Sequence, residues 1–290
     1  MRNILMTSDL SSRSDRAFDR AVQLSRQFKS GLHVLHVLEN DLPPDVQDEL
    51  LDNAEKTLTA QAVKAKQKVS KVAAARKGGK TGAGVVVAPG VPAQTILDQA
   101  AKLKADLIVT GAHKKDMLRD LFIKSTAEQV LRFSEKPLLI VKNPVRAEYK
   151  TIVVGMDFSD QAMRAAYLAL TLFPKAQVHL VHAYTLPFRG LVKDADLMEY
   201  TLEQRREGMD KMLSLLGRKL GKNKTRALAR VRVEMKAGDA SSALHAAVRK
   251  SRADLVVVGT HGKSSLITGI VGSVARDMIH HAKPDVLVGH

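Results

Sequence analysis

Two glycine-rich stretches in the C-terminal half hold the residues best suited to chemistry. Gly259-Thr260-His261-Gly262-Lys263-Ser264 follows a run of apolar residues. Gly269-Ile270-Val271-Gly272-Ser273-Val274 precedes a helical pattern that reaches Ile279, and the joint spacing is G-x2-G-x9-G-S. Glycine lets backbone N–H groups approach an anion with no Cβ in the way, and it tolerates positive φ. Gly272 and Ser273 fall at a helix N-terminus, where unbonded N–H groups and the helix dipole favour negative charge. The Ser273 hydroxyl is placed both to cap that helix and to donate to an oxyanion. Any single glycine here would serve a tight turn equally well. The set as a whole, after a buried strand and before a helix, points to a phosphate. Gly262-Lys263-Ser264 does not make a P-loop, because that pattern needs glycine where Val257 stands inside the strand.

Other chemistries find less support. The chain has no cysteine, which excludes disulfides, thiolate catalysis and cysteine-based metal sites. His36 and His182 fall on central strands and read as core imidazoles bonded to backbone. His113 and His261 lie after strands but have no spaced carboxylate or histidine partner, so no metal site is expected. No H-E-x-x-H, G-x-S-x-G or EF-hand pattern occurs. No nucleophile is paired with a base, and Asp157 is the one carboxylate that the strand pattern places beside the glycines.

The elements that position these residues occur twice. Ile4–Ser11 resembles Ile152–Ser159 at an offset of 148 residues, and Val34–Val37 resembles Leu180–Ala183 at 146. Gly90 corresponds to Gly238, Ala105–Gly111 to Ala253–Gly259, and Pro137–Val141 to Pro284–Val288. So many landmarks in one order indicate a duplicated domain, divided in the polar segment Lys142–Glu148, with domains at 1–145 and 149–290. Strands are expected at 3–8, 32–38, 84–88, 106–110 and 138–142, then at 151–156, 178–183, 230–235, 254–258 and 285–289. Helical spacing runs over 197–220 and 240–252. Apolar strands alternating with helices imply a doubly wound parallel α/β sheet in each copy, with ligands beyond the strand ends at the topological switch point.

The 290 residues carry 46 Lys and Arg against 30 Asp and Glu, a net charge of +16, with 4% aromatics and no Trp. Such a surplus suits anionic partners. Residues 1–148 hold 24 basic and 17 acidic side chains, and residues 149–290 hold 22 and 13. Neither half is therefore a basic tail. Two runs stand out: Lys64, Lys66, Lys68, Lys71, Arg76, Lys77 and Lys80; and Arg218, Lys219, Lys222, Lys224, Arg226, Arg230 and Arg232. They read as a solvated helix end and loop, or as a polyanion patch that lacks the aromatics of single-strand binders. The N-terminal apolar stretch is too short for a secretory signal and no apolar run spans a bilayer, so a cytoplasmic protein without membrane contact is expected. Leu186, Phe188 and Leu191 follow a strand and suit packing under the next helix, a lid or an interface.

Together, these motifs resemble the universal stress protein family over nearly the whole chain, as two tandem copies. The shared features are Asp9 and Asp157 closing the first strands, the LxHV-like second strand, the Asp-Leu-[IV]-Val-x-Gly fourth strand, the glycine motif and a Pro-led last strand. The resemblance implies a five-stranded parallel sheet of order 3-2-1-4-5 in each copy, with the last strands pairing the copies into an internal pseudo-dimer. It also implies ATP binding, with Mg2+ as an optional companion, where the glycine motif is intact. Carried over, Gly155, Asp157 and Ala183 hold the adenine and ribose end and Val258 and Gly259 line it, while Gly262, Gly272, Ser273 and Val274 hold the phosphates. The first copy keeps Asp9, Val37, Gly111 and Ser125 but has Lys114 and Lys124 at the positions of Gly262 and Gly272. These changes should close or reshape a degenerate first site, or serve a different anion.

Three functions follow as expectations. The first is a non-enzymatic stress protein that binds an adenine nucleotide in its second domain and signals to a protein partner, with a homodimer as an option. The second is an ATP-hydrolysing enzyme of the wider adenine-binding α/β group; slow hydrolysis also stays open under the first. The third, nucleic-acid binding, rests on charge alone and is the least expected.

Overall fold

A computed structural model describes residues 1–38, 49–60, 83–112, 125–185, 195–260 and 271–290. The chain forms two compact units, Met1–Glu148 and Tyr149–His290. Each follows the alternation of apolar runs and helical periods in its sequence.

The first unit contains β1 (Asn3–Ser8), α1 (Ser12–Phe28), β2 (Gly31–Leu38), α2 (49–60), β3 (Ala83–Pro89), α3 (Pro92–Lys102), β4 (Leu107–Gly111), α4 (Thr126–Phe133) and β5 (Leu138–Val141). Its strands are parallel in the order β3-β2-β1-β4-β5. The second unit contains β6 (Thr151–Gly155), α5 (Asp160–Leu172), β7 (Gln177–Tyr184), α6 (Ala195–Leu220), a 3-10 turn (Gly221–Asn223) and α7 (Lys224–Leu228). It continues with β8 (Val231–Ala237), α8 (Ala240–Ser251), β9 (Leu255–Gly259), α9 (Ser273–His281) and β10 (Asp285–Gly289). Its order, β8-β7-β6-β9-β10, repeats that of the first. The expected strand order therefore holds in both units, and most strand ends fall within two residues of their expected places.

The central strands are apolar on both faces because helices cover both. Ile4, Leu5 and Met6 of β1, Ile152, Val153 and Val154 of β6, and Leu255, Val256 and Val257 of β9 are fully buried. The lack of Trp is met by Leu, Val, Ile and Ala. Asp285 is also buried, and its carboxylate accepts a hydrogen bond from the Tyr149 hydroxyl at 2.6 Å.

Helix starts follow their capping residues. Ser11, Ser159 and Asp239 accept bonds from the backbone N–H groups of Ser14, Ala162 and Ser242. The basic run after α6 differs from its expected form as a helix end and loop. It runs from the end of α6 through the 3-10 turn and α7 to the start of β8, and one of its members is half-buried and bonded to the protein. The Arg230 guanidinium donates to the carbonyls of Leu170 (3.1 Å), Phe173 (3.0 Å) and Ala176 (2.6 Å) at the C-terminal end of α5. There it satisfies carbonyls that have no partner within the helix, at the negative end of the dipole.

Candidate functional site

The switch point of the second unit lies between β6 and β9. The two strands pair only as far as Val154 with Val257. In the first unit β1 and β4 pair one step further, through Thr7 and Thr110. The strands of the second unit thus separate a residue sooner, at Gly155 and Val258. A Cβ on Gly155 would lie 3.3 Å from Leu244 Cδ1 of α8 and 3.4 Å from Val258 Cγ1, so the space beside it is already filled. Ala183, near the end of β7, pairs with Lys236 of β8.

Asp157 and Asp9 sit in equivalent turns. Each is followed by a bulky residue in the left-handed region, Phe158 at φ 63° and Leu10 at φ 60°. That conformation costs such side chains ~1 kcal/mol or more. It returns the chain so that the next serine caps the helix and binds the carboxylate. Asp157 Oδ1 accepts from Ser159 N at 3.0 Å and from Ser159 Oγ. The Phe158 ring rests on His182, with centroids 4.2 Å apart. His182 Nδ1 donates to the Met156 carbonyl at 2.7 Å, and His36 Nδ1 donates to that of Ser8 at 2.8 Å. Both imidazoles are the backbone-bonded residues expected of them.

In the first unit Asp9 Oδ1 accepts from Ser11 N at 2.9 Å and also from the Ser14 hydroxyl. Burial pushes the Asp9 carboxyl up, but the hydrogen bonds from Ser11 and Ser14 outweigh it and hold the pKa below its ordinary value. Ala162 occupies the place of Ser14 in the second unit. Because the folded pKa of Asp9 is depressed, its stabilisation is present above the unfolded value, about 3.9. It disappears as pH falls through the folded value. Urea midpoints of the chain and of Asp9→Asn are expected to differ at pH 7 and to converge below about pH 4. A gap that persists in acid would contradict this reading of the turn.

The start of the helix that precedes the last strand shows the clearest difference between the copies. In the first unit Ser125 is the N-cap of α4 and accepts from Glu128 N at 3.3 Å, while the Glu128 carboxylate accepts from Ser125 N at 3.2 Å. This capping box fills the helix end with the protein's own negative charge. In the second unit the N-cap of α9 is Gly272, which has no side chain to cap with, and no acid stands in the first turn. Arg276 corresponds to Glu128 in the repeat, and its guanidinium donates to the Val271 carbonyl at 3.1 Å. The Gly272 N–H donates to the Thr260 carbonyl at 2.8 Å. Thr260 N in turn donates to the Gly289 carbonyl at 3.1 Å, which fixes the helix start against β9 and β10.

Two expectations need correction. Ser273 does not cap the helix: it is the first helical residue, exposed, with Gly272 as the cap. Nor does Gly272 need positive φ, since its φ of −60° and ψ of 153° suit any residue. Val274 is the second helical residue and half-buried, and Val258 is buried.

Gly259 has a structural reason of its own. A Cβ there would lie 2.9 Å from Gln161 Cβ and 3.0 Å from Gln161 C, because α5 packs against the end of β9. Gly111 meets the same obstacle from α1, 3.1 Å from the Arg13 carbonyl oxygen. This explains why the first copy keeps Gly111 although its glycine loop has changed. Gly262, Lys114, Lys124, His113 and His261 lie outside the described residues, as do Leu186, Phe188 and Leu191.

Sequence reasoning missed Leu244, Thr260 and Arg276. It also missed the cluster that joins the two helices beside the site. His245 Nε2 of α8 and His281 Nδ1 of α9 each lie 2.9 Å from the Asp277 carboxylate. Burial raises the Asp277 pKa, but the bonds from His281 and His245 outweigh it and lower it. Among the described residues no group of three or more His, Asp or Glu is placed to hold a metal ion. No helix among them is long and apolar enough to cross a membrane.

A doubly wound parallel sheet of this strand order, repeated in tandem, defines a class of two-domain α/β proteins. The universal stress protein family model matches residues 1–142 and again 148–290, and the chain belongs to that family. It is a stress protein with two such domains. A universal stress protein of Methanocaldococcus jannaschii is 31% identical over 147 residues, which cover 49% of this chain and 83% of that protein. Universal stress protein E of Photorhabdus laumondii is 23% identical over 210 residues, 68% of this chain and 65% of that one. The crystal structure of a universal stress protein from Archaeoglobus fulgidus shares the fold over 99% of this chain and 97% of its own, with a TM-score of 0.67 at 21% identity.

Proposed function

We propose that this stress protein binds ATP or a related adenine nucleotide in its second unit and acts, in the cytoplasm, as a nucleotide-responsive binding module without an enzymatic role. One observation carries the reading. Gly272 occupies an N-cap whose backbone any residue could adopt and where Ser, Thr, Asp or Asn would stabilise the helix more. The equivalent helix in the first unit is capped and carries an acid; this one has no capping side chain at its N-cap and no acid in its first turn, and Arg276 stands at the repeat position of Glu128. An anionic ligand explains both features. With a phosphate at this end, the base would reach toward the strand ends at Gly155 and Val258, where the pairing of β6 and β9 stops. Asp157 then faces the ribose, since a carboxylate would repel phosphate. Mg2+ would arrive with the nucleotide. Among the described residues no base–nucleophile pair stands at this end to support hydrolysis.

The test is isothermal titration of the purified chain with ATP after removal of any co-purified small molecule, itself identified by mass spectrometry. One nucleotide per chain is expected. Two per chain would place a working site in the first unit as well, and none would end the reading.

A further inference from the structure

The net charge of +16 is concentrated in two segments. Residues 64–80 hold seven basic and no acidic side chains, and residues 211–232 hold eight and none. Removing these 15 from the 46 basic residues leaves 31 against 30 acidic ones, so the rest of the chain is close to neutral. Segment 64–80 lies outside the described residues, in the stretch of sequence between α2 and β3, and segment 211–232 runs from within α6 through α7 to the start of β8. Their sequences do not otherwise resemble each other. Each copy thus carries a run of cations without acids in this part of its sequence.

The second unit shows how such a connection is built. Arg218 and Lys219 end α6, Lys222 lies in the 3-10 turn, Lys224 and Arg226 are on α7, and Arg232 is on β8; all six are exposed. Leu216, Leu220 and Ala227 are buried beneath them, and Arg230 holds the corner to α5 through three carbonyls. The cations therefore project from a folded corner, with no acid between Asp210 and Glu234.

We propose that this corner docks on the phosphate backbone of double-stranded nucleic acid, without reading its sequence. Segment 211–232 has no aromatic residue on which unpaired bases could stack. Leu215 is its one exposed large apolar side chain, so it lacks the apolar face that inserts into a membrane and the apolar core of a protein interface. What it offers is cations in number, which is what a regular array of phosphates takes up, with release of counterions. This reading is independent of nucleotide binding in the second unit.

The test is fluorescence anisotropy of a labelled 20-base-pair DNA duplex with the full chain between 50 and 200 mM NaCl. Binding is expected to weaken by about two orders of magnitude or more across that range. The triple variant Lys222→Glu, Lys224→Glu, Arg226→Glu is expected to bind at least about tenfold more weakly at 100 mM and to flatten the salt slope by about 2–3. The glutamine version, which does not reverse charge, should show the same trend to a smaller degree. A control with equal charge change at the exposed Lys56, Lys136 and Lys175 should lose less than about threefold. The proposal is overturned by equal losses in corner and control variants, by no duplex binding at 50 mM NaCl, or by binding to phosphatidylserine vesicles in preference to duplex.

Discussion

Replacing Gly272 by aspartate is expected to abolish nucleotide binding in the second unit while leaving its stability unchanged or slightly raised. The backbone at Gly272 is extended, with φ −60° and ψ 153°, a conformation that aspartate adopts without backbone strain. Its carboxylate would accept from the N–H groups of the first turn of α9, as Ser125 does on α4, and would favour the positive end of the dipole. Capping and dipole terms together contribute about 0.5–1 kcal/mol to stability. The same charge would stand about 5 Å from an incoming phosphate, where repulsion costs about 3 kcal/mol at a surface-like effective dielectric. That is a loss of two orders of magnitude or more in affinity. Calorimetric titration with ATP and thermal unfolding of the same sample give the two numbers. Parallel losses of affinity and stability would mean that Gly272 is needed for folding. Retained affinity would mean that the phosphate lies elsewhere.

Gly259→Ala is expected to behave in the opposite way. The added Cβ would sit 2.9 Å from Gln161 Cβ and 3.0 Å from Gln161 C. Both atoms belong to the first turn of α5, which must move away from the sheet. Overpacking of this kind costs about 2–3 kcal/mol, or about 5–10 °C in the melting of a unit this size. Gly111→Ala should produce a similar loss in the first unit, where the obstacles are the Arg13 carbonyl and Ser14 N. Gly289→Ala should cost less, since its nearest neighbour is the movable end of the Leu168 side chain. Differential scanning calorimetry on the three variants tests the order. If Gly259→Ala melts like the parent chain but loses nucleotide, the glycine serves the ligand and not the packing.

These two glycines belong to one motif in the sequence and to two different problems in the fold. The spacing G-x2-G-x9-G-S marks a place where backbone must come close to something. It does not say whether that partner is a phosphate or another helix. The duplicated chain supplies an internal comparison: the first copy lost two glycines of the loop and kept Gly111, the one that α1 requires. The Asp-x-Ser turn was legible as a carboxylate at a strand end, but the left-handed Leu10 and Phe158 were not, because neither residue type favours that region. Arg230 looked like one more solvated cation in a basic run. Its role at the end of α5 depends on a strand start meeting a helix end some 60 residues earlier in the chain.

The sequence by itself determined the duplication, the alternation of strand and helix and the parallel, doubly wound character of each sheet, while the strand order 3-2-1-4-5 came with the family resemblance. The first three follow from local periodicity and from chain connectivity, which apolar spacing and right-handed crossovers set. The tertiary structure decided which helix ends are already satisfied. Ser125 and Glu128 close one on themselves, whereas Gly272 is held by the Thr260 carbonyl and brings no capping side chain to α9. A one-residue shift in where two related helices begin separates these outcomes. The local sequence does not decide it, since Ser125 and Ser273 hold the same place in the repeat. In the second unit the start is held by bonds from Gly272 to Thr260 and from Thr260 to Gly289, partners brought together only by the fold.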